Sequence, residues 1–115
     1  MKVEIDMELT GSGPLLRLKG DVDMSSSPDL RAAIGNAFKA EGPRGKALFV
    51  DLSQVRYMDS SGIATLVEAL QTCMKQGLRL RLVELSPPVR DVFELARLSN
   101  VFEIFPSMGE AGKGL

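Results

Sequence analysis

The sequence has no histidine, no tryptophan, one cysteine and one tyrosine. Without histidine, neither a Ser-His-Asp nor a Cys-His triad can be built, and any zinc site would need carboxylates plus Cys73. A single cysteine excludes an internal disulfide and suits a reducing compartment. Five phenylalanines and one tyrosine leave few platforms for stacking bases or sugars. An excess of either charge is missing too. The 14 Lys+Arg stand against 15 Asp+Glu, a formal net charge of -1, which gives no general attraction to DNA, RNA or an anionic membrane. No apolar run reaches the roughly 18 residues of a membrane span. The opening Met1-Lys2-Val3-Glu4-Ile5-Asp6 alternates charged and apolar residues, unlike a signal peptide. What is present is 115 residues, 44% hydrophobic and 25% charged, the make-up of one ordinary globular domain. The expectation is a soluble cytoplasmic protein with one domain over residues 1–115, direct nucleic-acid binding and membrane insertion excluded, and oligomeric state left open.

Val3, Ile5, Met7 and Leu9 alternate with Lys2, Glu4, Asp6 and Glu8, the pattern of a half-buried strand. A short turn, Gly11-Ser12-Gly13-Pro14, leads to a second strand over Leu15–Val22, so an antiparallel hairpin is expected. Ser27-Pro28 starts a helix, with Ser27 as cap, and Leu30, Ala33, Ile34, Ala37 and Phe38 follow at helical spacing. Gly42-Pro43 ends it. The run Ala47–Leu52 reads as a strand covered on both faces, followed by a loop. A second helix begins at Asp59-Ser60-Ser61-Gly62, with Ile63, Leu66, Val67, Leu70 and Met74 as its apolar face and Gly77 as its stop. Leu78–Leu85 is a further strand, and Ser86-Pro87-Pro88 opens a third helix with Val89, Val92, Phe93 and Ala96 inward. A short strand over Val101–Phe105, a final helical turn over Pro106–Ala111 and a frayed 112–115 tail complete the chain. The order ββαβαβαβα predicts an α/β domain: a mixed sheet with parallel central strands, an N-terminal antiparallel hairpin and packed helices.

Few residues offer chemistry. Asp51, near a buried strand end, sits where reactive groups gather in α/β sheets, but the paired acids and the lysine of a phospho-aspartate receiver are absent. Gly11-Ser12-Gly13 lacks the lysine and helix of a phosphate loop, so it reads as a hairpin turn. Cys73 reads as a partly buried structural thiol. Asp59-Ser60-Ser61-Gly62 is the informative stretch. One reading is a plain helix cap, since Asp and Ser are strong N-cap residues. The other is functional. Three cap residues stand where one suffices, and Gly62 lowers helix propensity by about 1 kcal/mol relative to Ala, which suggests close approach of another molecule. Tyr57 and Met58 also stand large and apolar beside a turn expected to be exposed. A serine here is a favourable phosphate acceptor, because the helix dipole and free N–H groups stabilise the added anion.

In this context the stretch from Val50 to Ile63, VDLSQVRYMDSSGI, resembles the central signature of the STAS-domain family, specifically the bacterial anti-sigma factor antagonists. Leu18-Lys19-Gly20-Asp21-Val22-Asp23 resembles the family element ending the second strand. Leu85–Arg90 and Phe93–Leu98 are similar to its later turn and third helix. The likeness spans nearly the whole chain. It implies a binding module and no enzyme, with no catalytic residue, cofactor or metal of its own. The regulatory phosphoserine falls on Ser60, flanked by Asp59 and Ser61, with Gly62 permitting close approach. Asp23 falls in the partner surface, which is extended here to Met24 and Met58. The implied partner is an anti-sigma factor that is also a serine kinase, using its own ATP and magnesium. Unphosphorylated antagonist sequesters it and releases a sigma factor, and a protein phosphatase resets the switch. The resemblance leaves a second role open, as accessory subunit of a lipid-transport ABC system or as a signalling scaffold.

Overall fold

The computed structural model describes residues 3–41 and 45–115. The expected stop at Gly42-Pro43 and the strand position of Lys2 lie outside them. The elements follow the order read from the sequence: β1 (Glu4–Thr10), β2 (Gly13–Val22), α1 (Ser27–Glu41), β3 (Ala47–Met58), α2 (Ser60–Lys75), β4 (Arg79–Val83), α3 (Pro87–Leu95), β5 (Glu103–Phe105) and α4 (Met108–Ala111). One five-stranded sheet runs β1-β2-β3-β4-β5. β1 and β2 form an antiparallel hairpin, and every later pairing is parallel. The hairpin turn needs glycine at Gly13, where φ is +145° and a side chain would collide with the Ala47 carbonyl.

Alternation divides the sheet's side chains between two faces. Leu16, Leu18, Leu48, Val50, Leu80 and Leu82 face one way and meet Leu30, Ile34 and Ala37 of α1, Leu66, Ala69 and Cys73 of α2, and Val89 and Phe93 of α3. On the opposite face Leu15, Ala47, Phe49 and Val83 are covered by Ala111 of α4, with Met108 and Leu115 beside them. Burial on both faces explains the unbroken apolar run of β3.

Four readings are corrected. First, β3 does not stop at Leu52 but runs to Met58, because two irregularities in the β2–β3 register let Val55 and Met58 both turn inward. Second, α2 is rotated by about one position from the expected face. Its buried residues are Gly62, Thr65, Leu66, Ala69 and Cys73; of the expected face Leu66 is in the core, Ile63, Val67 and Leu70 pack partly buried at its border, and Met74 is 71% exposed. The small side chains let the helix lie close to the sheet. Third, the apolar side of β1 emerges into solvent along its length, from buried Val3 to Met7 at 45% and Leu9 at 57% exposure. Fourth, the 112–115 tail is held. The buried Arg81 donates through Nη1 to the Ala111 carbonyl (2.7 Å) and the Lys113 carbonyl (2.6 Å).

Candidate functional site

The site lies where β2 and β3 extend beyond β4, at the carboxyl ends of both strands. Asp59 follows β3 in extended conformation (φ -103°, ψ -171°), and its N–H donates to the Val22 carbonyl at the end of β2 (3.1 Å). That bond ties the turn after β3 to the loop after β2. The Asp59 carboxylate then caps α2. Its Oδ1 accepts from the Ser61 N–H (2.9 Å) and the Ser61 hydroxyl (2.6 Å), while its carbonyl accepts from the Gly62 and Ile63 amides. Ser61 is half-buried, and its carbonyl receives the Thr65 hydroxyl (2.9 Å). The Ser60 side chain, at the first helical position, is exposed, and no hydrogen bond among the described residues engages its hydroxyl. Two adjacent serines thus have different environments: one is spent on the cap, the other is free.

Gly62 has a different reason from the expected one. A Cβ there would lie 2.8 Å from both Met58 Cγ and Val22 Cγ1. The close approach is internal, between the first turn of α2 and the ends of β2 and β3. Met58 likewise does not stand at an exposed turn: it is fully buried and packs beneath the helix start. Tyr57 (52% exposed) and Met24 (80% exposed) are the large apolar side chains near the site that reach solvent.

Asp23 organises the adjoining loop. Its Oδ1 accepts from the Ser25 N–H (2.9 Å), the Ser25 hydroxyl (2.7 Å) and the Ser26 N–H (3.1 Å). These donors, led by the Ser25 hydroxyl, hold the carboxyl below its ordinary range. The residue that sequence reading passed over is Ser26. It is buried, donates to the Asp21 carbonyl (2.8 Å) and accepts from the Asp23 N–H (2.9 Å). Its carbonyl, rather than that of Ser27, accepts the Leu30 amide. Three consecutive serines hid which one turns inward. Asp51, half-buried, accepts from the Ser53 N–H and lies well back along β3, apart from this cluster. The Cys73 thiol is fully buried and pushed up to about 11 by desolvation. Among the described residues no group of three or more Cys, Asp or Glu is placed to hold a metal, and no helix is long and apolar enough to cross a membrane.

The chain belongs to the STAS domain family, whose model matches residues 4–111. It is 27% identical over 104 residues to the anti-sigma-B factor antagonist of Bacillus subtilis, covering 90% of this chain and 92% of that protein. Among solved structures, an anti-sigma factor antagonist from Mycobacterium paratuberculosis superposes with a TM-score of 0.81 at 26% identity, over 95% of this chain and 90% of the other. The anti-sigma factor antagonist SpoIIAA in its unphosphorylated form superposes with a TM-score of 0.77 at 25% identity, over 94% and 92%. The phosphorylated form of the Bacillus SpoIIAA has the same fold, with a TM-score of 0.70 at 23% identity over 94% and 96%.

Proposed function

We propose that this protein is a cytoplasmic anti-sigma factor antagonist switched by phosphorylation of Ser60. The observation that carries the reading is the contrast between the two serines: the Ser60 hydroxyl is exposed and unbonded, while the Ser61 hydroxyl is locked to Asp59. A kinase active site needs a hydroxyl that can be presented without breaking the fold, and Ser60 meets that need. Ser60 also stands at the positive end of the α2 dipole, where an added anion is favoured. The Ser61 amide is already taken by Asp59, so exposure and the dipole, rather than a set of free amides, make a phosphate tolerable.

In this reading the partner is an anti-sigma factor serine kinase, and a protein phosphatase restores the binding form. Met24 and Tyr57 supply apolar contact around Ser60. Asp23, Asp59 and Ser61 hold the two loops in shape, and Met58 and Gly62 fix the helix start from below. A phosphate brings about -1.5 to -2 charges into the centre of that contact beside Asp59, and desolvating them expels the partner. The names of the relatives support an anti-sigma factor as the partner, and the unphosphorylated and phosphorylated forms of SpoIIAA support a phosphorylation switch.

The test uses the kinase partner with ATP, followed by calorimetry and mass spectrometry. Ser60→Ala should bind the partner whether or not ATP is present. Ser60→Asp should bind at least about tenfold more weakly, the equivalent of about 1.4 kcal/mol, with both variants retaining the parent's circular dichroism. Phosphate on Ser61 alone, or Ser60→Asp binding as tightly as the parent, overturns the assignment. Tight binding to a transporter ATPase without phosphate transfer from any candidate kinase would move the protein to the accessory-subunit role.

A further inference from the structure

The outer edge of β1 is an open edge of the sheet. β1 is an edge strand of seven residues, and among the described residues no backbone bond from another element satisfies that edge. An open edge of this length is a template for a further strand, which proteins commonly blunt by shortening or charging it. β5, at the other edge, follows that practice with three residues. β1 does so only in part. Met7 and Leu9 stand 45% and 57% exposed on its helix-side face, where protection alone calls for polar side chains. The other face of β1 holds Glu4, Asp6 and Glu8 and no base. Glu8 is paired with Arg17 (2.8 Å); Glu4 and Asp6 stand across from Lys19 and Arg17 of β2, but no ion pair among the described residues engages either carboxylate, so both remain available on their outer side. Both carboxylates line a groove of about 260 Å³ with Arg17, Lys19, Asp51 and Gln54, on the part of the sheet's second face that carries charge instead of a helix.

We propose that the edge of β1 docks an extended segment of another polypeptide in which apolar side chains alternate with lysine or arginine. Strand addition gives such a segment main-chain hydrogen bonds, and its alternation sends the two side-chain classes to opposite faces. The apolar set lands beside Met7 and Leu9, and the basic set lands beside Glu4 and Asp6. Charge selects against the obvious competitor, a second copy of this chain. An antiparallel β1–β1 pair centred on Asp6 sets Asp6 against Asp6 and Glu4 against Glu8, and like charges directly opposite are destabilising. The surface belongs to a different part of the sheet from Ser60, so its occupancy is separable from the phosphorylation switch.

The probe is a blocked synthetic peptide of alternating valine and lysine, compared with its valine–glutamate counterpart by amide chemical-shift titration of the full chain. The expected result is saturable shifts concentrated in residues 4–10, with the lysine peptide at least about tenfold tighter than the glutamate one at low salt. The double variant Glu4→Lys/Asp6→Lys should reverse that preference. Met7→Ser/Leu9→Ser, at exposed positions, should weaken the lysine peptide several-fold while the protein stays folded. Shifts that bypass β1, equal affinity for the two peptides, or sedimentation showing that β1 instead pairs two copies of the chain would each overturn the proposal.

Discussion

At the site, single atoms decide what each residue does. Gly62 is the clearest example, because helix propensity and packing pull in opposite directions there. Replacing it with alanine relieves about 1 kcal/mol of propensity but drives a methyl into Met58 and the stiff, branched Val22 at 2.8 Å each. Overpacking of that kind costs roughly 1–3 kcal/mol, so Gly62→Ala should lower stability in urea unfolding. A stabilised variant would show that Met58 swings aside freely. Asp23 makes a prediction about pH. Its folded carboxyl titrates below the ordinary 3.8, chiefly because the Ser25 hydroxyl bonds the charged form. A depressed carboxylate contributes stability that is fully present above the unfolded value and is lost as pH falls through the folded one. Asp23→Asn, isosteric but uncharged, should therefore melt below the parent at neutral pH, and the gap should close in acid as pH falls below the ordinary carboxylate value and through the lower folded one. A gap that is constant with pH would remove the ionised carboxylate from the account.

Whole helices and strands turn on which side faces in. α2 buries Cys73 and exposes Met74, although methionine is the larger apolar side chain. Cys73→Ser should thus cost about 1–3 kcal/mol through a buried hydroxyl, while Met74→Lys should stay within about 0.5 kcal/mol. The native thiol, buried and raised to about 11, should react with Ellman's reagent only on unfolding. The reverse ranking of the two substitutions would place the helix on its other side. The rotation also shows where sequence reading reaches its limit. Element order, pairing direction and the start of α2 were legible because alternation, helical spacing and cap residues are local signals. The packing face was legible only in part: Leu66 is buried and Ile63, Val67 and Leu70 pack beside it as their spacing predicts, but Gly62, Thr65, Ala69 and Cys73 carry little hydrophobic signal and are chosen for how close they let the helix lie. The run from Ser53 to Met58 reads as a loop in the sequence for a related reason, since bulges break the two-residue period that marks a strand. At the site, Ser60 was picked out by resemblance, and its difference from Ser61 became visible only when the Asp59 carboxylate was seen to choose one hydroxyl.

The whole molecule has a sheet with a large core on one face and a small one on the other. The small core depends on Arg81, whose guanidinium lies 4.9 Å from the Phe105 ring and binds Glu103 and two carbonyls of the closing segment. Arg81→Met keeps the bulk but leaves those carbonyls unpaired, at roughly 1–3 kcal/mol. Hydrogen exchange should then quicken at residues 108–115 before it changes in β2 or β3. Unchanged exchange there would make the clamp redundant. The order of the strands bears on the kind of partner the molecule suits. In open α/β sheets a ligand crevice forms at the carboxyl edge where strand order reverses, because the crossovers on either side leave toward opposite faces. This sheet never reverses: each crossover steps one strand in the same direction, and the three crossover helices share one core. No such fork opens behind Ser60. Among the described residues the carboxyl edge therefore lacks the crevice that a switch point gives a small molecule, which accords with the proposal that its partner is another protein.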